Sequence, residues 1–267
     1  IYSIINPNRF DEDTRLKDLA AVGVTFLFIM GLRKILRENN YFDDKKSEPN
    51  LLINLDLVAL GTVCDVVNLS DYNRNFIIKG LEIIKKRTHK GISQIIDNSN
   101  INHSPTATDL SFIVGPQLNA ASRVDDSSLS HKLLISNNLI EIETITKKIF
   151  LLNEKRKLIE RNIYDQALEQ AKKQINKKFL LVYGLGWHKG ILGIIASRLV
   201  EKFNKPAIVI SFDQNIGVGS ARSIKHIDLG NIILLAKQKG LLLNGGGHKM
   251  AAGLRININI IDKFNEY

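Results

Sequence analysis

Five segments of this 267-residue sequence carry residues whose types and spacing could do chemistry. The run Gly245-Gly246-Gly247-His248-Lys249-Met250-Ala251-Ala252-Gly253 sets one titratable ring among residues too small to fill space. Consecutive glycines cost backbone entropy, so they suit places where bare backbone turns with positive φ or approaches something closely. Two readings follow: a floor on which a ligand lies, or a tight turn into an edge strand with a bystander histidine. In Gly217-Val218-Gly219-Ser220-Ala221-Arg222-Ser223, Arg222 is a forked donor matched to phosphate oxygens and flanked by hydroxyls. A surface turn is the plainer alternative there. In Gly115-Pro116-Gln117-Leu118-Asn119-Ala120-Ala121-Ser122-Arg123, small residues lead to a second arginine that could meet a phosphate.

The fourth segment, Asn54 to Val67, is apolar apart from Asn54, Asp56, Thr62 and Asp65. A carboxylate in such surroundings is costly unless it is paired, hydrogen-bonded or bound to a metal. Asp65 is therefore either a hard-cation ligand or the cap of a neighbouring helix. Asp56 lies nine residues earlier, on the opposite face of a helix, and cannot be its helical partner.

The fifth segment, Gly184-Leu185-Gly186-Trp187-His188-Lys189-Gly190-Ile191-Leu192-Gly193, lies between a predicted strand and a predicted helix, where amides can hold an anion. Its glycines imitate a dinucleotide fingerprint, and Asp213 sits near the distance expected for a ribose-binding acid. Trp187 and His188 are too bulky for that turn, which counts against a dehydrogenase. No Lys-Ser/Thr pair follows, so the P-loop pattern fails. His89, His103, His131 and His226 lack metal-ligand spacing and read as surface residues.

The elements that must position these residues fall into two textures. Ile1–Ile5 reads as the end of a buried strand, Leu19–Leu36 as a helix, Asn75–Lys86 as an amphipathic helix, and Thr106–Ala121 and Leu129–Ile135 as helices. No glycine or proline occurs between Pro116 and Gly184, and Ile142, Ile145, Ile149, Leu152, Ile159 and Ile163 form one helical stripe with Arg156 in its vacant slot. Beyond it, strands (Phe179–Tyr183, Pro206–Phe212, Ile216–Ser220 and an edge strand at Gly253–Ile258) alternate with helices (Gly190–Phe203, Leu229–Gln238). That alternation predicts an α/β layer domain.

Hydrophobic residues make up 44% and charged residues 24%, an ordinary globular composition. No apolar run approaches the ~20 residues of a membrane span. One cysteine, Cys64, excludes an internal disulfide and a cysteine-rich zinc site, and fits a reducing, cytoplasmic setting. The net charge of +10 favours an anionic partner, although a sequence rich in Ile, Asn and Lys also gathers lysine by compositional drift.

Taken together and in this order, the segments resemble the RecJ branch of the DHH phosphoesterase superfamily. The resemblance rests on Asn6-Pro7-Asn8-Arg9, Leu57 to Val67, Leu118 to Arg123, Gly186 to Gly190, Gly219 to Ser223 and the glycine–histidine run. It implies a metal-dependent 5′→3′ exonuclease of single-stranded DNA, working in DNA repair and recombination with Mn²⁺ or Mg²⁺. Asp65 would be a metal ligand; Arg123, Ser220 and Arg222 would bind the terminal phosphate or backbone, helped by amides near Gly246 and Gly247. His188 and His248 would line the cleft, with His248 counted among the catalytic residues. Cys64 and Ser122 replace an alanine and a glycine of the family pattern.

The implied fold is the C-terminal part of a DHH phosphoesterase domain (residues 1–136), a connector helix (137–178) and a smaller α/β DHH-associated substrate-binding domain (179–267). The family's other metal ligands, in Asp-x-Asp and Asp-His-His motifs, would precede Ile1, so the chain is expected to be an inactive fragment. Two alternatives stay open: a phosphodiesterase for short oligonucleotides or cyclic dinucleotides, and a non-catalytic single-strand-binding module.

Overall fold

The computed structural model describes residues 3–9, 11, 14–69 and 71–267, which form two compact units. The first comprises Ile1–Ala121 and Ser127–Phe150, the second Ser122–Asp126 and Leu151–Tyr267.

The regular elements described in the first unit are helical. Helix α1 (Ala21–Glu38) sets Phe26 edge-on to Phe76, ring centroids 5.7 Å apart. A 3₁₀ turn at Leu51–Asn54, begun by the Asn50 side chain, leads into α2 (Leu55–Cys64). Helix α2 is buried on nearly every side and packs on α3 (Asp71–Lys85). The contact closes at Gly80, where a Cβ would stand 2.3 Å from the carbonyl oxygen of Leu55. His89 caps α4 (Lys90–Asn98), its Nδ1 accepting from the Ile92 amide at 3.3 Å.

The single helix expected over Thr106–Ala121 is interrupted. One-turn α5 (Ala107–Asp109) opens on a Thr106/Asp109 capping box, a π-helical turn follows at Leu110–Val114, and α6 runs Gly115–Val124. The wide turn directly precedes Pro116, which has no N–H to donate. Helix α7 (Ser128–Ile135) follows. The strand expected at Ile1–Ile5 is not found in its described part: Ser3–Asn6 is irregular, with Ile4 and Ile5 exposed, and Ile1 and Tyr2 lie outside the described residues. Only apolar density supports that expectation, and no described strand of this unit is there to pair with it.

Helix α8 (Leu139–Lys172) is the long helix that the stripe predicts. Ile142, Ile145, Ile149, Leu152 and Ile163 are all buried along it.

In the second unit β1 (Leu180–Leu185) is followed by a 3₁₀ turn at Lys189–Ile191 and α9 (Leu192–Phe203). Then come β2 (Ala207–Asp213), β3 (Ile216–Arg222), α10 (Leu229–Gln238), β4 (Asn244–His248), β5 (Ala251–Asn257) and α11 (Ile261–Glu266). The sheet order is β1-β2-β3-β5-β4, parallel between β1 and β2 and antiparallel elsewhere. One face packs Ile208, Ile210, Leu254 and Ile256 against Ile233 of α10 and Phe264 of α11. The other packs Leu180, Val182, Ala207 and Val209 against Ile163 of α8 and Ile195 of α9.

The two sheet edges differ. At β1, two glutamines that follow the α8 face act as a missing strand. Gln174 accepts from the Leu181 amide (3.0 Å) and donates to its carbonyl (2.7 Å); Gln170 does the same for Tyr183 (3.0 and 2.7 Å). At the far edge is β4, the glycine run itself. The strand expected there, β5, is interior.

Candidate nucleic-acid interface

Strand alternation sorts the site. Ala221, Ala252 and Leu254 face the α10 core, so Ser220, Arg222, Ala251, Gly253 and Arg255 face the other way. On β4 a Cβ at Gly245 would meet Ile233 of α10, which places Asn244, Gly246 and His248 on the same open face as Arg222. The register assembles three rungs there: Arg222–Ala251–His248, Ser220–Gly253–Gly246 and Val218–Arg255–Asn244. Helix α9 packs over β2 and β3; at its start a Cβ on Gly193 would lie 3.0 Å from Arg222 Nη2 and 3.2 Å from Ser220 Oγ. Beyond it Gly246, His248, Gly253 and Arg255 are exposed.

The glycines themselves form extended edge strand, with the turn falling at Lys249–Met250, and positive φ among glycines is confined to Gly186 and Gly240 among the described residues. Gly246 has open space above it, whereas a Cβ at Gly247 would strike Ala251 and Ala252. Gly247 belongs to the opposite face, paired with Ala252, so only its backbone remains available as a contact.

Arg222 is half-buried and donates from Nη1 to the Ala221 carbonyl (2.9 Å) and to Ser220 Oγ (3.3 Å). Arg123 donates to the Gly190 carbonyl at 3.1 Å. The contact between those two segments is tight, since a Cβ on Gly190 would lie 2.2 Å from the Arg123 carbonyl oxygen. Neither arginine has a carboxylate at ion-pair distance among the described residues. Burial pulls the pKa of Arg222 below its usual value, and burial and then the charge of Arg156 do the same to Arg123. Guanidinium stays protonated in proteins, so both arginines hold their charge in partly desolvated surroundings, that of Arg123 partly offset by Glu160.

The vacant slot in the α8 stripe proves to belong to this region. Arg156 donates to Asn153 Oδ1 (3.0 Å) and to Glu160 (2.7 Å), and Glu160 also binds Arg198 (2.9 Å), which lies over the Tyr164 ring. Arg156 and Glu160 are each only 13% exposed. The sequence marks Arg156 by its position in an apolar stripe; nothing in the sequence marks Glu160 or Arg198.

His188 is half-buried and turns inward: its Nδ1 accepts from the Gly190 amide at 3.2 Å, which shapes the loop that Arg123 holds. His248 is exposed, with Nδ1 accepting from the Met250 amide at 3.3 Å. Gly184 makes room for the Trp187 ring, whose Nε1 donates to Gln166 at 3.1 Å. The spacing that imitates a dinucleotide fingerprint therefore serves packing.

Asp65 corrects an expectation. It caps the C-terminal end of α2 and is exposed, while the buried carboxylate of that segment is Asp56, 1% exposed. Burial raises the Asp56 pKa, opposed by its bond from the Leu57 amide (2.7 Å) and by His89. Among the described residues no group of three or more His, Cys, Asp or Glu could hold a metal, so Asp65 alone does not make a metal centre. The sequence spells Asp-x-Asp once, at Asp11-Glu12-Asp13; Glu12 and Asp13 lie outside the described residues. His103, His131 and His226 are exposed as expected; His89 is half-buried in its capping role.

Residues 176–267 match the DHHA1 domain. The single-stranded-DNA-specific exonuclease RecJ of Dickeya dadantii is 39% identical over 99% of this chain and 47% of its own length. That of Escherichia coli is 38% identical over 95% of this chain and 46% of its own length. The chain thus spans about half the length of these curated relatives. Among solved structures, RecJ of Thermus thermophilus in complex with Mn²⁺ superposes with a TM-score of 0.78 at 27% identity, covering 91% of this chain and 34% of that one. The same protein has been solved with Mg²⁺, with a TM-score of 0.79 at 26% identity, covering 97% of this chain and 38% of that one. Residues 176–267 thus carry the DHHA1 match, and the chain is similar along nearly its whole length to about half of a RecJ exonuclease.

Proposed function

We propose that the chain is the strand-gripping part, inactive by itself, of a divalent-metal-dependent exonuclease that degrades single-stranded DNA in the 5′→3′ direction, in the cytoplasm, during repair and recombination. In this reading the second unit grips the strand. The observation that carries it is the placing of Arg222 and Ser220 beside a bare glycine floor at the first turn of α9. Charge-assisted donors and helix-start amides suit a phosphate, and exposed backbone lets a strand lie close. Arg123, set by Gly190 and His188, adds a second cation. Amides of the Gly246–Gly247 stretch and the His248 ring border the path.

RecJ of Thermus thermophilus has been crystallised with Mn²⁺ and with Mg²⁺. The proposal gives Asp65 to such a centre as one carboxylate. The described residues alone do not complete it.

The test is binding of a 5′-phosphorylated single strand, its 5′-hydroxyl counterpart and a duplex to residues 1–267, with strand shortening measured alongside. Tight binding is expected for the phosphorylated single strand, without cleavage. Arg222→Ala should weaken it by about 1.5–3 kcal/mol, the range for hydrogen bonds to charged groups. Equal affinity for duplex, an unaffected Arg222→Ala variant, or metal-dependent shortening by this chain alone would each overturn a stated part of the proposal.

A further inference from the structure

The rung Val218–Arg255–Asn244 has no part in the reading above. Arg255 projects from β5 onto the same open face as Arg222 and is exposed. Among the described residues its side chain has no ion pair or hydrogen bond, and it borders a groove whose floor is Gly246 and Gly253. Across the rung, Asn244 uses Oδ1 to accept from the Gly245 amide (2.9 Å), which leaves its NH₂ free to donate outward. The middle rung, Ser220–Gly253–Gly246, carries only one small side chain. A lane free of bulk therefore separates two cationic rungs. On β5 those rungs are four residues apart, about 14 Å at roughly 3.4 Å per residue.

We infer that Arg255, with Asn244, is a second backbone-phosphate contact that holds the strand further along from the end gripped at Arg222. This rests on the single-strand reading of the site. About 14 Å corresponds to roughly four stacked nucleotide steps at ~3.4 Å each, and to fewer in an extended strand. A dinucleotide bound at Arg222 cannot reach Arg255; a longer strand can. Arg255 then makes the affinity depend on length and on salt, without regard to base sequence.

The experiment compares a 5′-phosphorylated dinucleotide with a dodecanucleotide of thymidylate, across a salt series, for the wild type, Arg255→Ala, Arg255→Lys and Arg222→Ala. Arg255→Ala should leave dinucleotide affinity unchanged, weaken the dodecanucleotide several-fold, and lower its salt slope by about 0.7, the value of one phosphate contact on a single strand. Arg255→Lys should restore most of the loss. Arg222→Ala should weaken both lengths. If Arg255→Ala weakens both lengths equally, or neither, or leaves the salt slope intact, the Arg255 contact is wrong while the Arg222 site stands. If the wild type binds neither length, both fall.

Discussion

Asp56 and Asp65 show at the level of single residues what a sequence can hide. Both sit in one apolar segment, and helix α2 is buried on nearly all sides, so periodicity does not say which carboxylate is inside. Asp65 is outside and Asp56 is inside, with its pKa raised by burial. The sign follows: above the unfolded value near 3.8 the unfolded chain releases this proton first, so stability falls as pH rises toward the folded pKa. Each pH unit crossed costs about 1.4 kcal/mol. Asp56→Asn keeps an oxygen for the Leu57 amide and should flatten the fall, raising the melting temperature at neutral pH but not at pH near 3.8. Thermal melts of both proteins across pH check this; parallel curves would sink it. Arg222, Ser220 and Arg123 are conspicuous in the sequence because they lie among glycines and other small residues. Arg255 is not, because a lone arginine in an alternating strand looks like any solvated residue.

Among the elements, most helices and strands can be read from spacing, but α3 begins four residues earlier than expected, α8 ends six residues short of the expected connector, and α4 and α11 are not anticipated. The order of the strands cannot be read that way. Residues 244–248 have almost no side chains to show a two-residue alternation, so the true edge strand leaves no pattern and β5 takes its place in the expectation. The other edge is equally hidden, since glutamines in a helical stretch give no sign that they bind a strand. Gln170 and Gln174 satisfy the outer N–H and C=O groups of Tyr183 and Leu181. Unpaired strand edges invite association. Replacing both glutamines with alanine should destabilise the second unit by roughly 1–3 kcal/mol, the penalty for leaving such groups unmet, and promote concentration-dependent aggregation. Urea unfolding and light scattering report the two effects; an unchanged midpoint with no added scattering would show that the edge cover is dispensable.

For the whole molecule, the two-texture organisation of the sequence matches a helical first unit and a sheet-bearing second one. No described helix is long and apolar enough to cross a membrane. The composition does not reveal how much apolar surface the first unit shows. Helix α1 exposes Phe28, Ile29, Met30, Leu32 and Ile35. Patches of this kind mark interaction surfaces or aggregation liabilities. Leu32→Lys combined with Ile35→Glu should reduce self-association of residues 1–267 in sedimentation while leaving the helical circular-dichroism signal intact. Undiminished association would move the liability elsewhere.

Helix α8 also has a consequence for how the chain can change over time. Arg156, Glu160, Ile163, Ala167 and Gln170 follow one another at steps of four and three residues along a single face, and Gln174 continues the spacing in the turn just beyond the helix. That face supplies the arginine–glutamate network, the packing beneath β1 and the cover of its edge in succession. Inserting or deleting one residue between Arg156 and Gln174 would rotate everything beyond it by about 100°. Point replacements in this stretch remove one contact each, but a one-codon change in its length removes several together. In this part of the chain spacing is more constrained than spelling.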